Sequence, residues 1–245
     1  MPQRDIATPD KAFILAAGLG TRMRPLTDSI PKPLAQVGGR TLLSRTIHRL
    51  QQTGVKKIVI NTHHLAQQIT DHLKDWPGPE IVLVNEPVLL DTAGGIKNAL
   101  PHFGGEPFFV LSGDGLWTDA NTAPALPTLA AKWDPATMDI LILLQPISNM
   151  KLTHGVGDYD ILPDGRATRS HGQKGTHMFT SMRINHPKIF DGVPDGASSY
   201  LPLLDKAEKA GRLFAIEHKG DWHHISTPAD LQAVNEAFAG KNGAA

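Results

Sequence analysis

Short apolar runs alternate with helical patterns along much of this chain, and no other feature restricts its possible folds as strongly. The apolar runs have the length of buried strands, and the segments between them carry apolar residues at three- and four-residue spacing. Strands that alternate with helices form βαβ units, which build a parallel sheet. We therefore predict an α/β fold with a Rossmann-like, mostly parallel sheet and helices on both faces. The predicted strands are Ala12–Ala17, Lys57–Asn61, Ile81–Val84, Phe108–Leu111, Met138–Leu144 and Leu213–Glu217, and the predicted helices are Thr41–Thr53, Leu65–Leu73, Gly95–Leu100, Tyr200–Ala210 and Pro228–Phe238.

The pattern changes after the strand predicted at Met138–Leu144. Residues 145–180 are rich in Gly, Asp and His and contain short extended pieces such as Val156–Leu162. We interpret this segment as a small β-rich insertion at the edge of the sheet and predict a single domain over residues 1–245. The tail from Ala239 to Ala245 is expected to fray because it consists of Gly, Ala, Asn and Lys.

The charge balance and the missing cysteines exclude several classes of function. The chain has 24 basic and 24 acidic side chains, which argues against binding to nucleic acids or to anionic membranes. It has no cysteine, so disulfides, thiol nucleophiles and cysteine-ligated metals are excluded. No apolar run reaches the ~18 residues that span a bilayer. The polar segment Met1–Lys11 lacks the apolar stretch of a secretory signal. We expect a cytoplasmic protein.

The first predicted strand runs directly into a glycine loop, Gly18-Leu19-Gly20. Without side chains, the backbone N–H groups of such a loop can approach a phosphate chain. Arg22 and Lys32 follow as two cations suited to a triphosphate. The alternative is an ordinary strand-to-helix turn with solvated basic residues. A dinucleotide fingerprint fails because Met23 stands where its third glycine belongs, and no P-loop motif occurs.

The whole block LAAGLGTRMRPLT, followed by PKPL, resembles the signature "LAAGxGTRxxPxT…PKP" of the sugar-1-phosphate nucleotidyltransferases. This resemblance extends over about residues 11–238. The further segments that resemble the family are Asn85–Pro87 with Leu90–Gly95, Ser112–Asp114, Phe179–Met182 and Trp222–Pro228.

The resemblance implies the nucleotide-diphospho-sugar transferase fold, with a nucleotide-binding core at 11–145 and a sugar-binding part with the C-terminal helices at 146–245. It also implies roles for individual residues. The implied catalytic residues are Arg22, Lys32 and Asp114; the implied nucleotide-binding residues are Ala17, Gly18, Gly20, Thr21, Arg22, Lys32, Glu86, Gly94 and Ser112; the implied sugar-phosphate-binding residues are Gly155, Asp158 and Thr180; and the metal positions are Asp114 and His224. Asp114 could instead be only a cap or turn former, and the 155–159 segment only a surface hairpin.

The family reaction joins a nucleoside triphosphate to a sugar 1-phosphate, releases pyrophosphate and uses Mg²⁺. The compact length and the run Gly113–Asp119 are most similar to bacterial N-acetylmuramate α-1-phosphate uridylyltransferases of cell-wall recycling. UTP and an amino-sugar 1-phosphate are therefore the expected substrates. Guanylyl or thymidylyl transfer to a hexose 1-phosphate is the enzymatic alternative. The chain lacks the long C-terminal β-helix of larger relatives, so we expect a monomer or a homodimer.

One position departs from the family pattern in a way that affects the chemistry. The second metal-binding Asp of "WxDVGTP" is His224 here, and the following glycine is Ser226. Mg²⁺ prefers oxygen ligands, so imidazole suits it poorly. Mg²⁺ could be held by Asp114 with triphosphate oxygens and water, Asp221 could take part of the role, or the chain could bind its ligands without turnover. The intact Arg22, Lys32 and Asp114 favour the first of these.

The paired histidines His63-His64 and His223-His224 could suggest a zinc site. Adjacent residues of an extended segment point to opposite sides, so each pair offers one ligand comfortably. Since the chain also has no cysteine, we do not predict a zinc site. Trp76, Trp133 and Trp222 are interpreted as core or lid packing.

Overall fold

The computed structural model describes residues 8–172 and 174–239, so the predicted C-terminal fraying lies, apart from Ala239, outside the described residues. Thirteen strands and six α-helices occur in this part of the chain. The strands are β1 Lys11–Leu15, β2 Gln36–Val37, β3 Arg40–Thr41, β4 Lys57–Thr62, β5 Glu80–Asn85, β6 Phe108–Ser112, β7 Leu116–Thr118, β8 Ile140–Pro146, β9 Tyr159–Ile161, β10 Ala167–Arg169, β11 His177–Asn185, β12 Leu213–Glu217 and β13 Asp221–His223. The helices are α1 Leu42–Gln52, α2 Ala66–Leu73, α3 Asp91–Ala99, α4 Ala125–Lys132, α5 Leu201–Lys209 and α6 Pro228–Ala239.

Nine of the strands form one sheet whose centre is parallel. β5, β4, β1 and β6 lie side by side in that order and run in the same direction. β11 runs antiparallel to β6 and to β8 on its other edge, and β12 continues the sheet parallel to β8. The β9–β10 hairpin extends the sheet beside the first residues of β11. Within this nine-stranded sheet, only β10 and β11 run opposite to the other strands, which confirms the predicted mostly parallel sheet.

Helices cover both faces of the sheet, as the sequence predicts. Along β1, Ile14 faces a core formed with α1, α2 and α4, whereas its neighbour Phe13 faces a core formed with α3 and α5. Both side chains are fully buried, and burying a side chain of this size stabilises the fold by about 1.5–3 kcal/mol. Two buried cores on opposite faces hold the central strands and leave their carboxyl ends as the accessible edge.

A third cluster supports the loops at that edge. Met23 from the loop after β1, Leu116 from β7 and Val234 from α6 pack together and are buried. α6 therefore closes the structure against the glycine loop. No described helix has the length and hydropathy needed to cross a membrane.

Local chemistry explains most of the element boundaries. α1 begins after Thr41, whose hydroxyl accepts a hydrogen bond from the Ser44 N–H, and it ends before Gly54 at φ +89°. α3 begins at Asp91, four residues before the predicted start at Gly95. The prediction missed this first turn because Gly94 and Gly95 weaken the helical signal there.

Several elements of the structure were not predicted. They include the helix α4, the long strand β11 and the short strands β2, β3, β7 and β13. Of the extended piece predicted at Val156–Leu162, only β9 is a strand. The division of the chain into a core at 11–145 and a second part at 146–245 stays a prediction.

Candidate active site

A cleft of about 420 Å³ opens where the carboxyl ends of β1 and β6 meet. The chain leaves β1 towards β4 and β5 on one side and returns to β6 on the other, so this is the point where the strand order reverses. Ligands of open α/β sheets bind at such points. The cleft is lined by Leu15, Ala16, Ala17, Gly18, Gly20, Thr21, Arg22, Met23, Lys32, Pro33, Asn61, Glu86, Leu89, Asp91, Thr92, Ser112, Asp114, Ser181 and Ser226.

The glycine loop forms one wall of the cleft. Gly20 adopts φ +62°, and a Cβ there would lie 2.9 Å from the Thr27 methyl carbon, so both conformation and space require glycine. The Thr27 hydroxyl donates to the Gly20 carbonyl at 2.8 Å and holds the turn. Gly18 is exposed, with open space where a Cβ would point. Within the described residues, the backbone N–H groups of Gly18, Gly20 and Thr21 have no protein acceptor, so they remain able to bind an anion.

Lys32 and Asp114, which are far apart in the sequence, meet on the floor of the cleft. The Lys32 Nζ lies 2.5 Å from an Asp114 carboxylate oxygen, and the Ser112 hydroxyl donates to the other oxygen. Burial raises the pKa of the Asp114 carboxyl, but the charge of Lys32 and the hydrogen bonds from Lys32 and Ser112 outweigh it, so the pKa lies below its ordinary value. Arg22 lines the same cleft and is exposed. The site therefore presents an ionised carboxylate paired with Lys32, and a second cation, Arg22, on the lining of the same cleft.

The opposite side of the cleft is built around Glu86, which is 2% exposed. One of its carboxylate oxygens accepts from the Asn61 side-chain amide at 2.7 Å and the other accepts from the Leu90 N–H at 3.0 Å. A Cβ on Gly95 would lie 2.6 Å from the Glu86 carboxylate, so this glycine makes room for the network. Gly94 faces away from it, and a Cβ there would lie 2.2 Å from the Gly196 carbonyl oxygen.

The residues predicted to bind the sugar are divided among different places. Thr180 lines a recess of about 230 Å³ that adjoins Arg22, Lys32 and Asp114, and its hydroxyl donates to the Leu143 carbonyl at 2.7 Å. Asp158 lines a separate cavity beside α5, where it accepts from the Phe179 N–H at 2.8 Å. Burial raises the pKa of the Asp158 carboxyl.

Gly155 lines none of these three cavities in the described part of the chain. A Cβ there would lie 2.4 Å from the Met178 sulfur. Phe179 lines both the Thr180 recess and the Asp158 cavity and so connects them.

The predicted metal positions differ in chemical suitability. Asp114 offers a partly exposed, ionised carboxylate in the cleft, and Mg²⁺ is commonly held by one or two carboxylates with substrate phosphates and water. The His224 Nε2 instead lies 2.8 Å from the Ser226 hydroxyl. Burial and the charges of Lys32 and Arg22 lower the pKa of the His224 imidazole. Asp114 therefore fits a magnesium ligand, whereas His224 does not. In the described residues, no three His, Asp or Glu side chains are grouped to hold a metal.

The other candidates from the sequence occupy structural positions. Asp221 contacts Lys151 at 3.4 Å and does not line the cleft. Trp133 is 2% exposed in the core, Trp222 stacks on Trp117 with ring centroids 6.2 Å apart, and Trp76 packs against the core, as predicted.

Two residues that line the cleft were not recognised in the sequence. Asn61 is the penultimate residue of the buried parallel strand β4, and its side-chain oxygen accepts from the Ala16 N–H at 2.8 Å at the entrance to the glycine loop. A polar residue at the carboxyl end of an apolar strand was the signal for it. Ser181 lines both the main cleft and the Thr180 recess and adopts φ +66°. It occupies a register shift of β11, which no local pattern announces.

Comparison with known proteins identifies the family of the chain. A sequence profile described as Nucleotidyl transferase matches residues 11–153. The chain is 35% identical over 237 residues to the N-acetylmuramate alpha-1-phosphate uridylyltransferase of Caulobacter vibrioides, covering 94% of this chain and 98% of that protein. It is 37% identical over 234 residues to the protein of the same name from Neisseria meningitidis serogroup B, with the same coverage. The crystal structure of UDP-glucose pyrophosphorylase complexed with UDP-glucose superposes with a TM-score of 0.77 at 18% identity, covering 95% of this chain and 99% of that one, which shows a shared fold. Its sequence and its cleft thus show that the chain belongs to the sugar-1-phosphate nucleotidyltransferase family.

Proposed function

We propose that this protein transfers the uridylyl group of UTP to N-acetylmuramate α-1-phosphate, with Mg²⁺, and releases pyrophosphate. The observation that carries the proposal is the meeting of Lys32 and Asp114 at 2.5 Å in a cleft that also contains Arg22 and the glycine loop. The choice of UTP and of this sugar is supported by similarity to two uridylyltransferases over 94% of the chain.

The cleft supplies what such a transfer requires. A phosphate oxygen of the sugar 1-phosphate attacks the α-phosphorus, the bond to the bridging oxygen of the β-phosphate breaks, and the electron pair leaves with pyrophosphate. Both reactants are anions, so catalysis consists mainly of positioning and charge stabilisation. In this proposal the N–H groups of Gly18–Thr21 bind the triphosphate, Arg22 stabilises the departing pyrophosphate, and Lys32 contacts the α-phosphate.

Asp114 is the residue we assign to Mg²⁺. When bound, the ion would neutralise triphosphate charge and orient the oxygens around the reacting phosphorus. Lys32 keeps the Asp114 carboxylate ionised and aimed into the cleft before any substrate arrives. His224 lies in the neighbouring recess, and its lowered pKa keeps the imidazole neutral at neutral pH. A neutral imidazole adds no further positive charge to the phosphate site.

Base recognition is assigned to Glu86. Its two oxygens each accept one hydrogen bond from the protein, and a carboxylate has further lone pairs to offer. The N–H of a uracil ring can donate a hydrogen bond, and a carboxylate oxygen can accept it. For the sugar we assign the 146–245 part of the chain, with Thr180 nearest to the catalytic residues and Gly155 and Asp158 further out.

The test is a pyrophosphate-release assay with each nucleoside triphosphate, Mg²⁺ and a panel of sugar 1-phosphates. We expect UTP with N-acetylmuramate α-1-phosphate to exceed UTP with glucose 1-phosphate by at least about tenfold in kcat/KM, because polar sugar sites reject analogues that lack their partners. Higher efficiency with GTP or dTTP and a hexose 1-phosphate would assign the enzymatic alternative. Release with no pair, together with nucleotide binding, would identify a non-catalytic binding protein.

A further inference from the structure

Two histidines outside the cleft contact the two loops that form its nucleotide side. His63 and His64 follow β4, which lies between β1 and β5 in the sheet. The end of β4 therefore lies between the glycine loop after β1 and the loop at residues 86–90 after β5. Neither histidine lines the cleft.

Each histidine binds a backbone carbonyl of a different loop. The His63 Nδ1 lies 2.7 Å from the Glu86 carbonyl oxygen, and the His64 Nε2 lies 2.7 Å from the Thr27 carbonyl oxygen. A carbonyl oxygen only accepts, so both ring nitrogens must carry a proton and donate. The two side chains therefore contact different loops from the turn that follows β4.

These contacts continue into the groups that line the cleft. Thr27 holds the Gly20 carbonyl through its own hydroxyl at 2.8 Å, so His64 supports the turn of the glycine loop. Asn61, at the end of the same strand, connects the Ala16 N–H to the Glu86 carboxylate. The 61–64 segment thus fixes the spacing between the phosphate-binding loop and the base-binding carboxylate.

We infer that His63 and His64 are positioning residues that hold the glycine loop and the Glu86 loop in register for one nucleotide. The inference rests on the proposed function in that it takes the nucleotide to span both loops. A nucleoside triphosphate contacts phosphate donors and a base partner at once, and binding weakens when the distance between them varies.

The first test is nucleotide binding, measured by calorimetry with UTP and without sugar, and the Michaelis constants of both substrates. We expect His63→Ala and His64→Ala each to raise the Kd and KM for UTP about tenfold, as for the loss of one half-buried hydrogen bond. The KM for the sugar 1-phosphate and kcat should stay within about threefold of the parent values. His48→Ala is the matched control, because His48 is exposed on α1 and its hydrogen-bond partner in the described part of the chain is Gln52.

Amide side chains provide a rescue that a general loss of stability would not show. The amide nitrogen of asparagine reaches about as far as Nδ1, and that of glutamine about as far as Nε2. His63→Asn and His64→Gln should therefore restore UTP binding to within about threefold, whereas His63→Gln and His64→Asn should not. Wild-type affinity in both alanine variants, or equal behaviour of the two amides at each position, would overturn the inference.

A second measurement needs no ligand and separates this inference from the proposed function. Amide hydrogen exchange of residues 16–28 in the unliganded protein should be faster in His64→Ala than in the parent and unchanged in His48→Ala. If the parent bound none of the four nucleoside triphosphates, the proposed function would fail, and with it the role assigned to the two histidines. Unchanged exchange in His64→Ala would show that the histidine does not hold the loop.

Discussion

Replacing Lys32 with methionine removes the positive charge that touches Asp114 while keeping most of the side-chain volume. In the proposed mechanism Lys32 acts on the α-phosphate as charge moves there. Loss of one positioned electrostatic partner costs about 10²–10³ in rate, or about 2.7–4 kcal/mol. We therefore expect Lys32→Met to lower kcat/KM by at least about a hundredfold.

The effect of Lys32→Met on the free energy of unfolding depends on how deeply the Lys32–Asp114 pair is buried. The side chains of Lys32 and Asp114 are 12% and 28% exposed. Exposed pairs contribute about 0.2–1 kcal/mol, whereas loss of one partner of a fully buried pair costs about 3–5 kcal/mol. An intermediate value of about 2 kcal/mol is expected for this half-buried pair. Urea denaturation measures it, and the protein should remain folded at 25 °C.

Lys57→Met is the matched control. Lys57 pairs with Glu80 at 3.2 Å with 25% of its side chain exposed, at the amino end of β4 and thus at the opposite edge of the sheet. Lys57→Met should lower the free energy of unfolding by no more than Lys32→Met does, and it should keep kcat/KM within about twofold of the parent. Lys32 does not have the proposed catalytic role if Lys32→Met keeps kcat/KM within about threefold of the parent, or if both variants lose activity equally.

Three further predictions follow from the structure. Asp114→Asn should abolish activity, whereas His224→Ala should lower the rate less than about tenfold and His224→Asp should lower the Mg²⁺ concentration that gives the half-maximal rate. Titrations of activity with Mg²⁺ and Mn²⁺ measure these effects, and equal loss of activity in Asp114→Asn and His224→Ala, with a preference for Mn²⁺, would make His224 a metal ligand. Gly94→Ala should lower the free energy of unfolding by about 2–3 kcal/mol, because the new Cβ would collide with a backbone oxygen. Gly18→Ala should change the free energy of unfolding by less than about 0.5 kcal/mol but weaken UTP binding, and equal stability of the two variants in urea would contradict this. Burial lowers the pKa of His72, His186 and His218 from the ordinary value of 6.5. As the pH falls below about 6.5, these histidines bind protons in the unfolded chain before they do so in the folded one, so the free energy of unfolding should decrease. A Tm that is higher at pH 5.5 than at pH 7.5 would contradict this.

The sequence by itself determined the alternation of strands and helices, the parallel centre of the sheet and the glycine loop. The apolar run of β1 and the two glycines after it are local features, and the structure has them where they were predicted. The helix α1 likewise follows from its cap at Thr41 and its stop at Gly54. Such signals are read within a few residues, because propensity, capping and turn conformation depend on near neighbours.

Only the tertiary structure decided which side chains meet. Lys32 reaches Asp114 because β1 lies beside β6 in the sheet. Asn61 reaches both Ala16 and Glu86 because β4 lies between β1 and β5. The order and register of strands result from packing over the whole chain, so no local pattern contains them.

The same reason explains the details that the sequence left unassigned. Gly94 and Gly95 are neighbours with the same local signal, yet one packs against the Gly196 loop and the other makes room for Glu86. Ser181 takes a left-handed conformation at the point where the pairing of β11 with β8 shifts register, between Phe179 and Arg183. A residue's role in this cleft depends on what the folded chain places opposite it, and that is a property of long-range contacts rather than of the residue itself.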